Sequence, residues 1–296
     1  MIKFYLPNFY DYPFENLNYY MVTQMKEHPE YFYDNIKIGA LFGTFPGVIW
    51  NGGRTIVGDF DAKHAERTIR AFNDLDIPIR FTYTNLLIDS EEQLLDPIAN
   101  FVTTLAHNSK NEIIVSNDYL EAYLRENYPD YKYISSTTKC ILKNEDIVKE
   151  SEKYYMTVLD YRKNRDMEFL DSLEHPEKYE ILINAWCDPA CKKRRAHYEQ
   201  LSREQLYQVG PCPGYDQFNC GVHTMTFFDS FKRETVLKPS EIYNIYVPMG
   251  FENFKIEGRT YPIVDVLETY LHYMVRPEWR DRFRLNALRY IGYGSK

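Results

Sequence analysis

Four cysteines fall between positions 187 and 220. Cys187 and Cys191 sit in Trp186-Cys187-Asp188-Pro189-Ala190-Cys191, Cys212 in Pro211-Cys212-Pro213-Gly214 and Cys220 in Phe218-Asn219-Cys220. Four thiols in loops broken by Pro and Gly are what a four-thiolate site needs, because such loops wrap a metal instead of joining regular structure. Structural zinc usually takes Cys-x2-Cys spacing. Cys-x3-Cys followed by wide gaps suits an iron–sulfur cluster at least as well, and spacing leaves both open. Lys192-Lys193-Arg194-Arg195 follows Cys191 and opens a helical stretch. Cations at a helix N-terminus oppose the macrodipole by about 0.3–1 kcal/mol each when exposed. An anionic cluster or an anionic substrate would compensate, while at least two of the four residues suit a solvated face.

A second concentration of chemistry lies in Asn253-Phe254-Lys255-Ile256-Glu257-Gly258-Arg259. Phe254 and Ile256 alternate with Lys255 and Glu257, as in a short strand ending on a charged tip. The helical spacing of Ile263, Val266, Leu267, Tyr270, Leu271 and Met274 begins directly afterwards. In a barrel or a doubly wound sheet, charges at a strand's C-terminal end are placed for chemistry more than for holding the fold. Glu257 and Asp160 are therefore the candidate acid–base groups. Arg259, Arg162 and Arg54 could clamp carboxylates with two-pronged contacts. Asn85, Ser135 and Asn184 end other strands and complete the candidate substrate-binding set. Asn117 and Thr44 read better as cap or loop residues.

The elements that position these groups alternate along the chain. After a leading segment and helix (residues 1–30, helical over Glu15–Glu27), strands are expected at Ile36–Phe42, Ile79–Thr84, Glu112–Ser116, Tyr131–Ile134, Tyr155–Leu159, Tyr179–Ile183, Thr224–Phe228 and Phe254–Glu257. Helical runs lie between them. Eight strands, mostly apolar on both faces and alternating with helices, make the pattern of a single parallel (β/α)8 barrel spanning residues 1–296, with the cysteine-rich region at 187–220. Asn51-Gly52-Gly53, set between the apolar runs Val48-Ile49-Trp50 and Arg54-Thr55-Ile56-Val57, predicts a β-hairpin inserted after the first expected strand. Trp50 and Arg54 would then cover the barrel mouth.

The bulk numbers fit such a barrel. The chain has 296 residues, 44% of them apolar, enough for one large core. Its 27 Tyr and 18 Phe can close a core while keeping polar tips near ligand. A net charge of −8 argues against general wrapping of nucleic acid, though a local basic patch could hold an RNA. No run of about 18 apolar residues and no long apolar stretch near Met1 is present, so a cytoplasmic protein without membrane contact is expected. Five cysteines in such a chain point to metal or redox chemistry rather than a disulfide framework.

Phe254-Lys255-Ile256-Glu257-Gly258-Arg259, preceded by Met249-Gly250-Phe251-Glu252-Asn253 and followed by Thr260–Met274, resembles the closing strand and helix of the U32 family. That family was first described as collagenase-like peptidases, and its characterised members are iron–sulfur proteins, several of them oxygen-independent hydroxylases. The resemblance implies an eight-stranded barrel with a [4Fe-4S] cluster at its mouth, Cys187, Cys191, Cys212 and Cys220 taking the ligand positions in order. The gaps within the two cysteine pairs are reversed relative to the family's pattern, and Cys140 is a candidate to replace Cys212. The implied reaction is hydroxylation, or a related redox step, on a small anionic, aromatic or RNA-borne substrate, with oxygen drawn from an organic donor such as prephenate. A peptidase and a non-catalytic barrel with structural zinc are the alternatives. The seven His fall in no motif that would supply a nucleophile–base pair.

Overall fold

Eight parallel strands close on themselves in sequence order: β1 (Ile2–Pro7), β2 (Ile36–Gly43), β3 (Ile79–Tyr83), β4 (Glu112–Val115), β5 (Lys132–Ser135), β6 (Met156–Val158), β7 (Tyr179–Leu182) and β8 (Asn253–Lys255). β8 pairs with both β7 and β1, which completes the ring. The computed structural model describes residues 1–12, 14–210, 218 and 225–293. Twelve helices are described: α1 (Phe14–Glu27), α2 (Ala62–Asp74), α3 (Glu91–Leu94), α4 (Pro97–Leu105), α5 (Asp118–Asn127), α6 (Asn144–Lys153), α7 (Met167–Asp171), α8 (Arg194–Leu206), α9 (Phe227–Ser230), α10 (Pro239–Glu241), α11 (Ile263–Met274) and α12 (Arg280–Leu288). None of them is long and apolar enough to cross a membrane. Side-chain caps start several: Asp61, Asp96, Asn117 and Asp166 each accept from backbone N–H groups of the following turn.

The chain is a (β/α)8 barrel, with three adjustments to its expected elements. The first strand is Ile2–Pro7, inside what the sequence offered as a leading segment. Residues 227–230 form α9, opened by a capping box between Thr226 and Asp229, so the expected strand Thr224–Phe228 does not form over its described residues. The hairpin is also absent. Residues 44–61 contain no strand; the Asn51 side chain closes a local turn by donating to the Arg54 carbonyl at 2.7 Å. Trp50 is fully buried in the core, its Nε1 donating to the Gln93 carbonyl at 2.7 Å, and does not cover the mouth.

Side chains alternate between the barrel interior and the helix layer, as the strand period requires. Tyr5, Ala40, Phe42, Ile114, Ile134, Met156 and Val158 form the inner apolar cluster. At the N-terminal end of the barrel the interior turns ionic. Arg80, fully buried, donates through Nε to Glu112 at 2.6 Å, pairs with Glu180, and lies 3.9 Å from the centre of the Tyr5 ring. Lys255 stands 3.3 Å from the other Glu180 oxygen. Two cations meet two carboxylates, so this floor is electrically closed; removing any one member would leave a buried charge unpaired.

Candidate functional site

The same alternation, continued two residues beyond each strand's last inward residue, brings Thr84, Ser136, Asp160, Asn184 and Glu257 to the C-terminal rim. A small pocket of about 70 Å³ opens there, walled by Thr82, Thr84, Ser136, Thr137 and Thr138, with Lys255 and Arg259 at its base. It is rich in hydroxyl groups and carries two cations, half-buried Arg259 and buried Lys255, the latter shared with Glu180 below. Burial pushes Lys255 down to about 8, against the pull of Glu180. Arg259 is likewise held well below its ordinary value, first by burial and then by the charge of Arg54, while Asp11 acts in the other direction.

Arg259 reaches its place because Gly258 lets the chain pass close to Val266 and Pro7; a Cβ there would lie 3.1 and 3.2 Å from those side chains. Its Nη1 donates to Asn51 Oδ1 at 3.0 Å and Thr82 Oγ1 at 2.8 Å, and its Nη2 to the Gly52 carbonyl at 3.0 Å. All three acceptors are neutral, so the guanidinium is fixed in position without being neutralised.

Arg54 and Glu257 form an ion pair that lines this pocket and also a larger cavity of about 200 Å³ beside it. Cys187 and Cys191 line the larger cavity, together with Tyr161, Arg194 and Tyr198. Trp186 and Tyr261 stack on its wall with ring centroids 4.0 Å apart. The helix α8 forms one side and is stitched to the loop after β2 through Gln205. That amide donates to the carbonyls of Val48 and Ile56 at 2.9 and 2.8 Å and accepts from Ile56 N and Asn51 Nδ2 at 2.7 and 3.2 Å.

The expected site residues that the structure describes divide into three groups. Arg54, Glu257, Arg259, Cys187 and Cys191 meet at the two cavities. Asp160, Arg162 and Asn184 lie at the rim but are committed to neighbours. Asp160 accepts from Arg162 N, Nε and Nη2 at 3.0, 2.8 and 2.9 Å. Burial raises the Asp160 carboxyl, yet the bonds from Arg162 and the charge of Arg194 outweigh it and keep Asp160 below the usual carboxylate range. Asn184 is bonded at both ends of its amide to the backbone of Glu257.

Asn85 and Ser135 lie out of phase with the inward series. Asn85 donates to the carbonyls of Ile49 and Ser202 at 2.8 and 3.0 Å, and Ser135 donates to Glu150 of α6 at 2.6 Å, behind the barrel wall. Their neighbours Thr84 and Ser136 face the pocket instead. Lys255, Thr82, Arg194 and Tyr198 went unremarked as site residues in the sequence. For the first two, counting strand parity back from Glu257 and Thr84 is the signal that finds them.

Cys140, Cys187 and Cys191 carry free thiols. Burial pushes the Cys140 thiol up, while Arg194 and Arg162 pull it down from nearby. Cys212 and Cys220 lie outside the described residues. Phe218 and Met225, which flank Cys220 in the sequence, line the same cavity as Cys187 and Cys191. Among the described residues no three His, Cys, Asp or Glu side chains converge as a metal site.

No family model matches the chain, and no curated protein matches it. Among solved structures, that of the U32 peptidase Mk0906 is similar over 88% of this chain and 95% of its own, with a TM-score of 0.55 and 10% sequence identity. At that identity the similarity is one of fold.

Proposed function

We propose that this chain is an iron–sulfur barrel enzyme of the U32 type, acting on a small anionic or aromatic substrate in an oxygen-independent hydroxylation or a related redox reaction. The observation that carries the reading is the convergence of Cys187 and Cys191 on one cavity with Arg194, Arg54 and Glu257, at the barrel end where such folds place their chemistry. The donor set fits a thiolate-bound cluster. Two thiols and a buried guanidinium with two nitrogens lacking hydrogen-bond partners face the same space, and Cys212 and Cys220 are the thiols to complete the set. When bound, the cluster supplies one-electron chemistry.

The remaining roles belong to this chain's own residues. Lys255, Arg259 and the ring of hydroxyls receive an anionic group of the substrate, desolvating it in a pocket too small for much water. Glu257, held by Arg54 between the two cavities, accepts or returns a proton at its carboxylate. Asp160 stays ionised and orients Arg162. The stacked pair Trp186 and Tyr261 offers a flat apolar wall to an aromatic ring. The enclosed volume favours a small acid over a stretch of RNA.

Purification without air, followed by iron and sulfide analysis, tests the reading. About four irons and four sulfides per chain are expected, lost on Cys187→Ala or Cys191→Ala. Zinc without sulfide would replace the reading by a structural zinc site. A peptidase has one observation in its favour, the presence of Cys187, Cys191 and His197 on the same cavity. Iron-free protein that cleaves an unfolded polypeptide, and stops when Cys187 is alkylated, would establish it.

A further inference from the structure

We infer that Arg194 acts as a positioning residue for the cluster, donating N–H bonds to its sulfur atoms and setting its reduction potential. The inference rests on the iron–sulfur reading above and extends it to a residue outside the thiolate set. Arg194 is 4% exposed, which is unusual for the first residue of a helix and for a member of a four-residue basic run. Its neighbour Arg195 behaves as a surface residue, pairing with Glu199 at 3.0 Å in solvent. Arg194 turns inward and lies across two rings, 4.1 Å from the centre of Tyr161 and 5.1 Å from that of Tyr198.

That stacking fixes the plane of the guanidinium but leaves its edge unused. Nη2 donates to Thr137 Oγ1 at 3.1 Å. Nε and Nη1 are buried and have no hydrogen-bond partner. The nearest carboxylate oxygen, on Asp160, is 3.7 Å away and already committed to Arg162. Three features thus work against the folded state at one residue: a buried cation, two unsatisfied donors and a positive charge at the positive end of a helix dipole. A structural arginine would have spent those donors on carbonyls. An anionic sulfur group between Cys187 and Cys191, which line the same cavity, relieves all three. Hydrogen bonds to cluster sulfurs and nearby positive charge stabilise the reduced, more anionic state, and so raise the potential.

The test is a redox titration of anaerobically purified protein, followed by electron paramagnetic resonance, on the wild type, Arg194→Gln, Arg194→Lys and Asp160→Asn. Arg194→Gln should lower the equilibrium constant for reduction at least tenfold, about 59 mV for one electron. Arg194→Lys, which keeps the charge but loses the fork, should fall between. Asp160→Asn removes a negative charge beside the same guanidinium and should move the potential the opposite way; if the Arg194 variants retain no iron, an unmoved potential in Asp160→Asn would overturn the role of Arg194. Unchanged potentials in variants with full iron content would overturn the role of Arg194 and leave the cluster reading standing. A wild type without iron and sulfide would overturn both.

Discussion

Asn184 grips the backbone of Glu257 at both ends of its amide: Nδ2 donates to the Glu257 carbonyl at 2.8 Å, and Oδ1 accepts from the Glu257 N–H at 2.6 Å. The side chain continues the pairing of β7 with β8 past the last strand residues, and so fixes where the Glu257 carboxylate stands. Asn184→Ala should leave two backbone groups unpaired and lower stability by roughly 1–3 kcal/mol. Asn184→Asp keeps the acceptor, loses the donor and should lie between. Thermal unfolding of the three proteins checks this; equal midpoints would show that the rim holds Glu257 without Asn184.

Gly52 lies against the end of β3 so closely that a Cβ would meet the Thr84 carbonyl oxygen at 2.2 Å and Asn85 N at 2.7 Å. Both obstacles are backbone and cannot swing aside. Gly52→Ala should push the loop off the barrel, break the Arg259 bond to the Gly52 carbonyl and cost about 1–3 kcal/mol. Affinity for sulfate, measured by calorimetry, should fall with it. A variant as stable as the wild type and as good at binding would mean the loop moves freely.

Lys255 has a folded pKa of about 8, below its ordinary value. The unfolded chain therefore holds the proton across a window in which the folded one has released it, and stability should rise with pH from about 8 to the ordinary lysine range. Anion binding should show the opposite trend, because the pocket loses a positive charge as pH rises through about 8. Sulfate, whose own charge is constant over this range, should raise the unfolding midpoint more at pH 7 than at pH 9. An equal rise at both would remove Lys255 from the anion pocket.

His272 carries the same sign at acid pH. Burial, and next the charge of Arg280, push it down to about 4, and its Nε2 has no hydrogen-bond partner. The folded state keeps the ring neutral while the unfolded state protonates it below about 6.5, so stability should fall between about pH 6.5 and 4. His272→Phe should flatten that limb of the stability curve. An unaltered limb would place the acid sensitivity elsewhere.

Much of the architecture was legible because parallel strands buried on both faces read as short apolar runs between helices. The first strand, Ile2–Pro7, escaped the pattern, and a strand was expected at 224–228 instead, each for a physical reason. In Ile2–Pro7 the inward residue Tyr5 serves the ionic floor with Arg80, so the segment does not stand out as an apolar run. At 224–228 the aromatic residues suggested a strand, but Thr226 and Asp229 cap a helix turn there. Of the candidate pocket, Glu257 was legible because a charge closes its strand, whereas two adjacent polar residues left open which of them faces inward. Asn85 beside Thr84, and Ser135 beside Ser136, differ only in parity, and parity is fixed by residues deeper in the strand. Arg194 was hidden in a basic run whose other members suit a solvated face; nothing local says which of four cations turns inward.

The ion pairs described along the barrel axis have a kinetic consequence. The floor is electrically closed, whereas the mouth gathers Arg54, Arg162, Arg194 and Arg259 against Glu257 and Asp160, with Asp11 farther off. The chain as a whole is at −8. An incoming anion is thus repelled at long range and attracted only within the last few ångströms. Added salt, with a screening length of about 8 Å at physiological strength, weakens the outer repulsion more than the enclosed attraction. Capture of small anions by this barrel should therefore speed up as ionic strength rises, the reverse of the behaviour of an electrostatically steered enzyme.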